Sequence, residues 1–123
     1  MKKLLLFVLC TPFLLASTCE SEDSPINCTQ EVVDGLHITV LDATTAQPLL
    51  ENITVKATEG SYEETLELIP GLEYFAGAGE RSGTYTVTVT KAGYQTYTSA
   101  PIIVTRDVCH VITQSLTVNL HSN

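Results

Sequence analysis

Basic residues are scarce in this chain. Six lysines and arginines face fourteen aspartates and glutamates over 123 residues, a formal charge of −8. Phosphate binding needs clustered Lys and Arg, so nucleic acid is not an expected partner. Histidine occurs only at 37, 110 and 121, with no His-x-His or comparable ligand spacing, and neither a metal site nor a cofactor is expected. No Gly-x-Ser-x-Gly elbow is present. The glutamates between 59 and 80 are not accompanied by an Asp-x-Asp calcium loop. The longest apolar run, Leu4 to Ala16, is interrupted by Pro12 and stops at thirteen residues, short of the ~20 that a membrane-spanning helix needs. No segment of useful length has helical periodicity, and there is no internal repeat. These absences argue against a nucleic-acid-binding protein, a metalloenzyme and a helical membrane protein. No catalytic residues are expected, and the chain does not read as an enzyme.

What is present begins at the first residues. Lys2 and Lys3 precede the apolar run, and small residues follow it up to Cys19. A basic start, a short apolar stretch and small residues at the cut form an export signal. Two endings compete: an ordinary signal cut near residues 16–18, or a lipoprotein signal cut before Cys19, whose thiol then carries acyl chains such as palmitate. Leu15 to Cys19 resembles a lipobox, with Thr18 where a smaller residue is usual and Leu15 one place early. Cysteine arithmetic favours lipidation. Cys10 falls within the apolar run, and lipidating Cys19 leaves Cys28 and Cys109 as a pair, which an oxidising compartment would join in a disulfide.

The expected organisation is therefore a lipoprotein signal peptide over 1–18, an acidic tether over 19–32 and one domain over 33–123. From Cys19 onward the chain has 105 residues and four basic residues against fourteen acidic ones, a formal charge of −10. That size sets one domain at most. Glu20, Glu22 and Asp23 resemble the acidic tags that send some lipoproteins to the cell surface. The expected location is the bacterial cell envelope, with the lipid on Cys19 in the outer membrane and the domain displayed at the surface.

From Leu36 the pattern is β. Leu36, Ile38 and Val40 alternate with His37, Thr39 and Leu41, which places His37 outward. A turn over 42–48 precedes a strand carrying Ile53, Val55 and Ala57. A third strand spans 63–68, with Glu64 on its Leu66 and Leu68 face. Tyr85, Val87 and Val89 face inward from a strand whose threonines face out. A long strand, or two broken at Pro101, covers 94–106, and Leu116, Val118 and Leu120 mark the last strand. Alternation of this kind, with turn signals every 8 to 12 residues, predicts an all-β antiparallel sandwich. Between Ile69 and Gly79, Tyr74 and Phe75 lie among glycines in what reads as a long connection or irregular edge strand. This is a candidate binding loop, with capping of the core as the competing reading.

Residues Ile38 to Asp42, then Thr45 to Leu49, then Ile53 to Val55 resemble carboxypeptidase regulatory-like domains. So do Gly83 to Val89 followed by Lys91 to Tyr94. The resemblance covers about 36–120 and implies a seven-stranded, Ig-like, transthyretin-like β-sandwich serving as an accessory or binding module. The stretch Cys109 to Val111 resembles small bacterial lipoproteins that carry this domain alone. The expected function is a non-catalytic binding or assembly module for a protein or glycan partner. The alternative is an acidic lipoprotein inhibitor or ligand of a basic secreted enzyme.

Overall fold

Alternating β-branched residues produce alternating burial once strands pair. In the computed structural model, which describes residues 25–123, Leu36, Ile38 and Val40 are fully buried, and His37 and Thr39 between them are not. Nine strand segments form: β1 Asp34–Asp42, β2 Ile53–Glu59, β3 Tyr62–Thr65, β4 Glu67–Leu68, β5 Phe75–Gly79, β6 Gly83–Lys91, β7 Tyr97–Thr98, β8 Ile102–Val104 and β9 Gln114–Leu120. The described residues contain no helix. The segments make two sheets, one in the order β4-β5-β1-β9 and one in the order β3-β2-β6-β7 with β8 also on β6. The fold is all-β and sandwich-like. Leu36, Ile38, Val40, Val118 and Leu120 from the first sheet meet Val55, Ala57, Tyr85, Val87 and Val89 from the second. Each large side chain buried there contributes roughly 1.5 to 3 kcal/mol.

The sheets are not wholly antiparallel. β1 and β9 run parallel, with Leu36 opposite Gln114 and Asp42 opposite Leu120. A parallel pair makes the chain enter both strands from the same end. The segments before them, 28–33 and 109–113, are therefore neighbours, and that end is called the base below.

Three expected elements take other forms. The strand over 63–68 divides. β3 pairs with β2, and β4 joins β5 in the opposite sheet. Leu66 is the crossing point, with its N–H still donating to Val55 O (2.8 Å) and its side chain buried. The stretch 94–106 is broken over 99–101 into β7 and β8, which pair with opposite ends of β6. The sequence Phe75 to Gly79 is neither a loop nor an edge. It is β5, an interior strand between β4 and β1.

Small residues allow β5 to sit there. A Cβ on Gly77 would lie 2.8 Å from Leu66 Cγ and 3.2 Å from Glu64 Cδ. Glu64, the one carboxylate on its strand's inward side, uses that space. Its Oε2 accepts from Ala78 N (2.7 Å) and from Tyr62 OH (2.8 Å). Gly77→Ala is expected to destabilise the domain by roughly 1 to 3 kcal/mol through overpacking, measured as a lower urea midpoint at unchanged slope.

Candidate functional site

The connection from β5 to β6, which carries the chain from one sheet to the other, concentrates the polar interactions. Ala78 and Glu80 hold positive φ angles of 54° and 50° on either side of Gly79. Non-glycine residues adopt that region at a cost of order 1–3 kcal/mol each, so the surroundings must hold them. Glu80 N donates to Val33 O (2.9 Å), and Glu80 Oε1 accepts from Val33 N (2.9 Å). The backbone twist thus aims the Glu80 side chain at the base.

There Glu80 anchors a relay. Its Oε1 pairs with His110 Nδ1, and His110 Nε2 lies 2.9 Å from Thr29 Oγ1. Its Oε2 also accepts from Val111 N (3.4 Å). The Val33 amide above all, then the His110 ring, holds the Glu80 carboxyl below its ordinary value. Asp107 Oδ1 accepts from both Cys109 N and His110 N at 2.8 Å, and the His110 amide, then that of Cys109, lowers its carboxyl in turn. Beside this network Cys28 and Cys109 form a disulfide pair with Cα atoms 5.3 Å apart. The chain-entropy model assigns such a loop, about 80 residues, roughly 4 to 5 kcal/mol. The arm at residues 25–32 is otherwise exposed and outside any strand. One covalent bond and one polar relay fasten it.

Hydroxyl, imidazole and carboxylate stand here in the order of an acyl-transfer relay. Glu80 also accepts from two backbone amides, and Thr29 lies on the fastened arm, so the arrangement clamps the arm to the base. An open groove of about 340 Å³ lies elsewhere, lined by Pro48, Leu49, Leu50, Glu51 and Lys91. Lys91 Nζ donates to Glu51 O across it (2.6 Å).

Arg81 points the other way. Its guanidinium lies 3.7 Å from the Tyr62 ring centroid, pairs with Glu59 (2.9 Å) and donates to Tyr85 OH (2.8 Å). Tyr85 OH in turn donates to Arg81 O (2.8 Å), which satisfies the one polar atom of a fully buried side chain. Burial first, then the Glu64 carboxylate, pushes the Tyr62 hydroxyl up to about 12.

Tyr74 and Phe75 separate. Phe75 is 4% exposed within β5 and belongs to the core, which removes it from any recognition surface. Tyr74 is half-buried and stacks on His37, with ring centroids 4.2 Å apart. His37 does face away from the core, as its alternation requires. Beside this stack the outer side of the first sheet is neutral along β1 and β9, with His37 opposite Ser115, Thr39 opposite Thr117 and Leu41 opposite Asn119. Glu67 is exposed at the far edge. Tyr74 and this surface can make stacking and hydrogen-bond contacts with a ligand.

Sequence reasoning did not find the Thr29–His110–Glu80 relay. The available signal was adjacency: pairing Cys28 with Cys109 brings their neighbours Thr29 and His110 together. Cys19 lies outside the described residues. Among the described residues no three His, Cys, Asp or Glu side chains group as metal ligands, and no helix is long and apolar enough to cross a membrane.

Glu80 provides a test of the clamp. A depressed native carboxyl adds stability that is whole above its ordinary value of 4.5 and is lost as pH falls through the native value. Glu80→Gln should be less stable than the parent at neutral pH, and the two should converge as pH falls below 4.5 and through the lowered native value. Urea midpoints across that range check it, and a constant difference at every pH would contradict the carboxylate's role.

No family model matches the chain, and no curated protein matches it.

Proposed function

We propose that this chain is a lipid-anchored protein of the bacterial cell envelope, held in the outer membrane by acyl chains on Cys19. It carries one non-catalytic β-sandwich that binds or assembles with a protein or glycan partner at the cell surface. The fastened arm is the observation that carries this reading. Cys28 follows Cys19 by nine residues, a reach of roughly 30 Å when extended. Its disulfide to Cys109 and the hydrogen bond of Thr29 to His110 fix the domain at the point where such a tether would arrive.

The finer fold is a carboxypeptidase regulatory-like, transthyretin-like sandwich of seven strands. Two features support it. If β3 with β4 is taken as one strand that changes sheet, and β7 with β8 as one interrupted strand, nine segments become seven. The Tyr85 hydroxyl bonded back to Arg81 O has the form of the tyrosine corner of Ig-like sandwiches.

The charge balance favours a second reading, an acidic ligand or inhibitor of a basic secreted enzyme. Such a complex would weaken steeply with salt, whereas retention on a glycan would not.

The test is the intact mass of the protein from its native membrane fraction, before and after reduction. The expected mass begins at Cys19, includes acyl chains and rises by two hydrogens on reduction. An unlipidated mass would overturn the anchor.

A further inference from the structure

We propose that the open edge of β9 is a strand-docking site that takes an extended segment of a basic partner protein through backbone hydrogen bonds. This specifies the mode of the binding proposed above and does not depend on the lipid anchor.

The argument rests on which way each residue of β9 points its backbone. Ala43 N donates to Leu120 O (2.8 Å), so Leu120 faces β1. Gln95 N donates to His121 O (2.8 Å) from the opposite side. Backbone groups alternate sides along a strand, so Ser115, Thr117 and Asn119 direct their N–H and C=O groups away from β1. None of the described residues hydrogen-bonds these six groups, because β9 pairs only with β1.

The edge is bounded at both ends. His121 bonds Gln95 at one end, and Ile112 N bonds Thr105 O (2.8 Å) at the other. Between those contacts the chain over 96–104 pairs with β6 in the other sheet, and β8 stays near β9 without hydrogen-bonding to it.

Exposed edges are usually protected by charge, proline or shortness. β4 and β7 have two residues each, β4 includes Glu67, and β3 carries Glu63 and Glu64. β9 has seven residues with no charge, proline or glycine, which makes it the one long unprotected edge among the described strands. Strand addition draws its affinity from such backbone groups. The chain's own excess of fourteen acidic over six basic residues disfavours a second copy and selects a basic segment.

Amide exchange of the purified full chain tests this, with a peptide of alternating valine and threonine flanked by lysines as the probe. A peptide of the same core flanked by glutamates is the control. In the unbound protein Ser115, Thr117 and Asn119 should exchange at least about tenfold faster than Leu116 and Val118. The lysine peptide should slow those three amides at least about tenfold, less so at high salt, and the glutamate peptide should not. Thr117→Pro removes a donor that bonds nothing internally. It should fold and abolish the slowing, and should it fail to fold, exchange in the parent chain decides alone. Slow exchange in the unbound chain, equal effects of both peptides, no slowing by the lysine peptide, or full slowing in a folded Thr117→Pro variant would each overturn the proposal. Failure here together with salt-insensitive retention on a glycan would leave the binding-module reading standing.

Discussion

The parallel pairing of β1 with β9 governs the base of this molecule. It brings the first and last strands of the domain side by side in the same direction, so the segments leading into them must run together. The Cys28–Cys109 bond, the meeting of Thr29 with His110 and the reach of Thr113 Oγ1 to Asp34 O (2.7 Å) all follow from that shared entrance. Parallel neighbours need a long crossover, and here nearly the whole domain is that crossover. The same arrangement places β9 at the rim of its sheet, with one side of its backbone unused.

The short connection from β5 to β6 joins the two sheets energetically. Two strained residues around Gly79 turn Glu80 toward the base and Arg81 toward the opposite sheet. Glu80 gathers two backbone amides and an imidazole, and Arg81 gathers two tyrosines and a carboxylate. Such concentration in one turn means that the polar groups near the core are satisfied by neighbours that themselves depend on tight packing. Gly77 and the carboxylate of Glu64 illustrate this, since the absence of one side chain makes room for the hydrogen bonds of another.

Alternation made much of the fold legible. The inward faces of β1, β2, β6 and β9 follow directly from Leu36, Ile38, Val40, Val55, Ala57, Tyr85, Val87, Val89, Val118 and Leu120. Gly93, just after β6, has a φ of 85°, the left-handed conformation a turn glycine adopts without cost. What pattern could not supply was pairing. β5 contains two alanines and two glycines, an apparent loop signal, yet it is an interior strand because Leu66 and Glu64 fill the space that its side chains leave. The parallel sense of β1 and β9 has no local signature at all, since it is a property of two segments whose paired residues, such as Leu36 and Gln114, are 78 positions apart. The His37–Tyr74 stack depends on the β1–β5 register, which places Ile38 opposite Phe75. The clamp at the base was hidden for the same reason, although the two cysteines marked where to look.

The disulfide also defines how the molecule transmits tension. A pull applied to the arm ahead of Cys28 enters a covalent bond and emerges at Cys109, five residues before β9 begins. If the opposing grip is on β9, the force crosses only that short stretch. β1 to β8 lie outside the loaded path, and their hydrogen bonds need not resist it. A domain cross-linked in this way behaves under traction less like a folded chain than like a short strap with a sandwich hanging beside it.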